Sequence, residues 1–159
     1  ETEYDIGGRP LRVTDPNGNS TAYDYYGPEE NGRLRRVTSA DKRYTEYQFD
    51  DNGNITRTVD NAGRDSLTEY DALDRPVRQL GPIHDAHGLT NIRQLTVTDY
   101  DTLGNVTTIR AGYSGALGLP GGDVLETQAT YTYDDFGRLL QETTPSVTAT
   151  ITATTATAT

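Results

Sequence analysis

The chain has 159 residues, a net charge of −10 and no Cys; disulfides and thiolate metal sites are excluded, and so acidic a balance argues against a nucleic-acid partner. It holds no apolar run long enough to span a membrane. Leu, Ile, Val and Phe number only 29, which with this charge ordinarily signals disorder, but eleven Tyr offset the deficit because each ring buries a large apolar face while its hydroxyl keeps polar company.

Tyr4-Asp5-Ile6-Gly7-Gly8-Arg9 opens the chain, and its pattern returns at Phe49-Asp50-Asp51-Asn52-Gly53-Asn54, Tyr70-Asp71-Ala72-Leu73-Asp74-Arg75, Tyr100-Asp101-Thr102-Leu103-Gly104-Asn105 and Tyr133-Asp134-Asp135-Phe136-Gly137-Arg138. A further copy, Tyr25-Tyr26 with Gly32-Arg33, carries three extra residues before its glycine. The anchors at 4, 25, 49, 70, 100 and 133 are 21, 24, 21, 30 and 33 residues apart, so the basic unit is 21 residues and the longer ones hold insertions. Such a period marks an array of like units that bury their faces against one another.

Period-two patterning rich in Thr and Tyr predicts strands near 10–14, 20–25, 34–38, 44–49, 54–59, 66–70, 95–100, 105–110, 127–133 and 138–143. The turn glycines Gly8, Gly32, Gly53, Gly104 and Gly137 supply positive φ; Asp74 and Lys42 stand where glycine is expected. The expected fold is all-β, an antiparallel meander of repeated hairpins. The excess of nine and twelve residues falls at 81–95 and 111–125, which are expected to project as loops. The anchors should form an aromatic ladder on one face, with Asp24, Glu69 and Asp99 on the other and an arginine column at Arg12, Arg36, Arg57 and Arg78. If the ladder is the packing spine, Tyr70→Ala should cost about 3–5 kcal/mol; Glu69→Ala should cost no more than about 0.5 kcal/mol if its site is solvated.

Tyr-Asp-x-x-Gly-Arg-Leu followed by Thr-Asp-Pro-x-Gly-x-x-Thr-x-Tyr-x-Tyr resembles the YD repeat of Rhs-type proteins, most closely over Tyr4 to Tyr25 and Tyr133 to Thr143. Six copies in phase carry the resemblance across residues 1–145. It implies a spiralling sheet that is part of a hollow shell or barrel wall, as in bacterial Rhs effectors, Tc toxin shell components and teneurins. In the bacterial members such a shell commonly encloses a toxin segment. Self-cleaving members carry paired Asp-Pro elements; here Asp-Pro occurs once, at Asp15-Pro16, so no protease activity is expected.

No catalytic residues or cofactors are expected elsewhere. His84 and His87 form the single histidine cluster, a weak metal candidate read as a polar loop because no motif supplies a third ligand. The Asp50–Asn54 stretch lacks the Glu of a calcium loop and reads as a repeat turn. Residues 146–159 form a Thr/Ala low-complexity segment with three readings: an edge-seeking strand, a disordered stalk, or generically assigned residues. With no initiator Met or targeting segment, the chain reads as an internal piece of a longer one. The expected function is structural: a shell segment of a larger secreted or delivered protein, encapsulating a toxin or other cargo. The alternative is a cell-surface adhesive or filament-forming repeat protein. Expected partners are neighbouring repeats of the same or identical chains, with an enclosed toxin domain or a cell-surface ligand; the expected location is secreted or cell-surface.

Overall fold

A computed structural model describes residues 1–86, 89–115 and 122–145. Among them twelve strands run in chain order: β1 (Thr2–Tyr4), β2 (Pro10–Thr14), β3 (Ser20–Tyr25), β4 (Leu34–Thr38), β5 (Tyr44–Phe49), β6 (Ile55–Asp60), β7 (Asp65–Tyr70), β8 (Pro76–Ala86), β9 (Leu89–Tyr100), β10 (Val106–Ser114), β11 (Val124–Tyr133) and β12 (Leu139–Thr143). Each pairs antiparallel with its sequence neighbours, giving one open sheet whose edges are β1 and β12. A 3-10 turn at Pro28–Glu30 accommodates the three-residue insertion of the second unit. Every anchor residue is the last residue of an odd-numbered strand.

The unit turns are type I turns closed by a residue in the left-handed region, which produces a bulge at the strand end. In the first, Gly8 N–H donates to the Asp5 carbonyl at 3.1 Å and Asp5 N–H to the Arg9 carbonyl at 2.9 Å. The pairing slips between Glu3 and Tyr4 as a result. Lys42 and Asp74 hold the same left-handed position, with φ of 67° and 60°. An L side chain there crowds its own backbone, so Lys42→Gly is expected to stabilise the chain by about 1 kcal/mol, read from its urea-unfolding midpoint.

The segments 81–95 and 111–125, expected as loops, are strand wherever they are described, apart from Gly115, Gly122 and Asp123. β8 continues to Ala86, β9 starts at Leu89, β10 reaches Ser114 and β11 starts at Val124. Gly81-Pro82 does not end β8 because a bulge absorbs it: pairing slips between Leu80↔Leu95 and Ile83↔Arg93, then resumes. His84 therefore sits in a strand opposite Ile92, not in a polar loop.

The lengthened strands β8, β9 and β11 hold the core. Among the described residues the buried apolar ones are Leu80, Ile92, Leu95 and Ala129, with Ile92 and Leu95 fully enclosed. Directly opposed residues share a face, and the register aligns Leu67, Leu80, Leu95, Gly112 and Leu125 across five strands. Two side-chain ties hold the extended hairpins to the repeat body. Arg93 donates to the Asp65 carboxylate at 2.6 Å and to the Gly81 carbonyl at 3.0 Å. Arg78 joins Glu69 on β7 to Asp123 ahead of β11, and the buried Ser114 hydroxyl donates to the same Asp123. The anchor aromatics, by contrast, are half-buried or exposed, which corrects their expected role as a packing spine. A single-layer sheet leaves their outer faces open. The cost of Tyr70→Ala thus falls below the core range, and Tyr70→Phe isolates one hydroxyl bond, worth about 1 kcal/mol in denaturant titrations.

Candidate functional site

What the side chains build is a rail of linked turns along one rim of the sheet. Its local element is the anchor aspartate. Asp71 Oδ1 accepts the N–H groups of Leu73 at 2.9 Å and Arg75 at 3.0 Å, while Oδ2 accepts Arg75 Nε at 2.7 Å. Asp101 receives the same three bonds from Leu103, Asn105 and the Asn105 amide. The pattern Asp-x-x-Gly-Arg/Asn is thus one chemical object: a carboxylate that accepts two backbone donors and one side-chain donor, which either residue can supply. Asp15 with Asn19 and Asp60 with Arg64 repeat it in the opposite turns.

The side-chain bond from Arg75, with the backbone N–H bonds beside it, holds the Asp71 carboxyl below its ordinary value near 3.8. Asn105 does this for Asp101, Asn19 for Asp15, Asn54 for Asp50 and Arg64 for Asp60, while backbone bonds lead at Asp5 and Asp134. At Asp65 burial opposes the shift, yet the Arg93 and Arg57 bonds hold it downward as well. Each depressed folded pKa contributes stability that is present above the unfolded value and lost as pH falls through the folded one. Urea midpoints are therefore expected to be flat in these groups down to the ordinary value near 3.8 and to drop steadily below it; a midpoint unchanged at lower pH would contradict this turn chemistry.

Between units, the arginine that closes one turn reaches the next. Arg9 lies 4.5 Å from the Tyr25 ring centre and donates to the Gly32 carbonyl at 2.7 Å. Arg33 lies 5.6 Å from the Phe49 ring and donates to the carbonyls of Asp50 and Asp51. Arg75 lies 4.5 Å from Tyr100 and donates to the Asp101 carbonyl at 3.3 Å. Where Asn54 replaces Arg, its amide bonds Asp74, the residue that stands in for glycine in the following turn. The anchor hydroxyls tie the same junctions from the other side. Tyr25 donates to Pro10 O, Tyr70 to Ile55 O, Tyr100 to Pro76 O and Tyr133 to Val106 O, all at 2.9–3.0 Å. Burial raises the Tyr25 pKa, keeping that hydroxyl a donor.

Of the expected cross-strand pairs, Arg78 meets Glu69 at 2.8 Å, while Asp99 pairs with Arg110. Arg12, Arg36 and Arg57 take Glu3, Glu46 and Asp65. Asp24 stands opposite Arg36 in the register, but that guanidinium turns to Glu46. His84 Nδ1 lies 3.0 Å from the carbonyl of Pro82, and His87 falls outside the described residues. The clearest signal for the rail was present in the sequence as the Arg or Asn after each turn glycine, although its reach into the next unit was not.

The family model of the RHS Repeat matches residues 29–65, which contain the Arg33–Phe49 junction and the turns at Asp50 and Asp60. Over that stretch the chain is similar to the RHS repeat. Solved structures share this fold. TcdB2-TccC3 without its hypervariable C-terminal region aligns with a TM-score of 0.63 at 18% identity, over 88% of this chain and 8% of that one. TcdB2-TccC3-Cdc42 aligns at 0.60 and 18%, over 85% and 7%, and TcdB2-TccC3 at 0.56 and 16%, over 90% and 10%. At such identity the likeness speaks for the fold, and this chain spans about a tenth or less of those chains' length. No curated protein matches it.

Proposed function

We propose that this RHS-repeat segment is a stretch of wall in a larger secreted or delivered protein, and that the wall encloses a toxin or other cargo. The observation that carries the reading is where the bonding lies. Side chains join each unit to the next along a single layer, as in a material that gains strength by repetition. The resemblance to TcdB2-TccC3, a protein with a hypervariable C-terminal region, supports the cargo part of the proposal. A structural role also fits the turn carboxylates, whose oxygens are taken up by their own turns and not presented to a substrate. Among the described residues no helix is long and apolar enough to cross a membrane.

Limited proteolysis of the longest protein that the encoding gene specifies tests the proposal. The enclosed segment should resist protease in the intact protein and become sensitive when Arg75→Ala and Tyr100→Ala together open a junction. Equal digestion of the segment in both would overturn the encapsulation reading.

A further inference from the structure

We infer that Asn17-Gly18 is a site of spontaneous succinimide chemistry, yielding aspartate and isoaspartate, and that the rail shields the two other Asn-Gly pairs from it. The inference goes beyond the wall reading: it rests on the bonding within turns, whatever a wall surrounds.

Asn-Gly occurs at Asn17-Gly18, Asn31-Gly32 and Asn52-Gly53. The reaction begins when the glycine backbone nitrogen loses its proton and attacks the asparagine Cγ. The side-chain nitrogen leaves as ammonia, and a cyclic succinimide remains. Water then opens the ring at either carbonyl, so the net change exchanges an amide and water for a carboxylate and ammonia. Opening at one carbonyl restores the ordinary backbone, whereas opening at the other routes the chain through Cγ. Glycine favours the attack because it has no Cβ to hinder it. Two restraints oppose it: a hydrogen bond that occupies the glycine N–H, and one that holds the asparagine amide in place.

Both restraints act at Asn52. Gly53 N–H donates to the Asp50 carbonyl at 3.2 Å and to Asp50 Oδ1 at 2.9 Å. The Asn52 amide donates to Asp74 Oδ1, in the next turn of the rail, at 2.9 Å. Arg33 grips the same turn through the carbonyls of Asp50 and Asp51. At Asn31, Gly32 N–H donates to the Gly27 carbonyl at 3.0 Å, and Arg9 fixes the Gly32 carbonyl at 2.7 Å. Asn17 is restrained least. Gly18 N–H makes one bond, to the Asp15 carbonyl at 3.0 Å, and the exposed Asn17 amide makes none among the described residues. A Cβ built on Gly18 would meet nothing within 4 Å, whereas one on Gly53 would meet Arg33 at 3.3 Å.

The rim decides this difference. The turns at Asp15, Ser39 and Asp60 lie opposite the rail and bond internally, through Asn19 to Asp15, Arg43 to Asp41 and Arg64 to Asp60. Among the described residues no hydrogen bond or ion pair joins one of these turns to another. Isoaspartate at Asn17 would lengthen the backbone between Asp15 and Asn19. Those residues close the turn, with Asp15 N–H on the Asn19 carbonyl and Asn19 N–H on Asp15 Oδ1, each at 2.9 Å. Chemical ageing therefore starts on the unlinked rim, while the linked rim keeps its turns.

The full 159-residue chain, held in heavy-oxygen water at mildly alkaline pH, digested and read by tandem mass spectrometry, tests the inference. Asn17 is expected to convert ahead of Asn31, and about tenfold or more faster than Asn52, because a hydrogen bond to a charged acceptor is worth at least that factor. Asp74→Gly removes the carboxylate that holds Asn52 and installs the residue that Gly53 and Gly104 supply in their own turns. That variant should speed conversion at Asn52 about tenfold and leave Asn17 unchanged. In urea the parent's three rates should converge, since only the fold separates them. An Asn52 that converts as fast as Asn17 in the folded chain would overturn the inference. So would a ranking that persists in urea, or an Asp74→Gly chain whose Asn52 is no faster. None of these outcomes bears on whether a longer wall shields a cargo, so the two readings fail separately.

Discussion

Leu95→Ala is expected to destabilise the chain by about 2–5 kcal/mol, the range for truncating a fully enclosed leucine. Leu95 is 0% exposed and stands in the register row that joins Leu80 to Gly112. Its removal leaves a cavity where the sheet has hardly any other buried apolar side chain to collapse into the space. Leu103→Ala is the matched comparison. Leu103 is 68% exposed at a turn tip, on the rim that also carries Ile6, Leu73 and Phe136, so its loss should stay within about 0.5 kcal/mol. Urea denaturation of both variants measures the difference. Equal midpoints would mean that the extended hairpins add no core and that the repeats hold themselves.

Gly112→Ala should be comparably damaging for a different reason. A Cβ built on Gly112 would lie 1.8 Å from the carbonyl oxygen of Val124 and 2.8 Å from its carbon, both backbone atoms. No rotamer change relieves that overlap, so β10 and β11 must separate where they pair Gly112 with Leu125. Separation there would also disturb the Asp123 tie to Arg78 and Ser114. A loss of about 3 kcal/mol is expected, at the upper end for overpacking. Gly81→Ala serves as control, because the nearest atom to its added Cβ is the Gln94 Cβ at 3.7 Å, an ordinary contact. That variant should unfold close to the parent's midpoint, and a Gly112→Ala protein that did the same would show the two backbones free to part.

The unit strands and their turns were legible because their causes are local. Asp-x-x-Gly-Arg closes on itself within five residues: the carboxylate, its backbone donors and the left-handed residue all lie in one short segment, so reading the letters in order was enough. The alternation of Thr and Tyr, likewise local, placed β3, β5, β7 and the last parts of β9 and β11, each ending on its anchor, but not β1. Residues 81–95 and 111–125 show the limit of such reading. Gly81-Pro82 and Gly112 are breakers by local preference, and from them the sequence reads as loop. The tertiary structure decided otherwise because pairing partners outside the segment outweigh that preference: β7 and β9 flank β8 and let a bulge absorb the proline, while Gly112 is held between Leu95 and Leu125. The same distinction governs the rail. Sequence spacing determined that an Arg or Asn follows each turn, but which ring Arg75 covers depends on where Tyr100, twenty-five residues on, is brought by the stacking of strands. Contacts within a turn are set by covalent neighbours, and contacts between units are set by the sheet that forms around them.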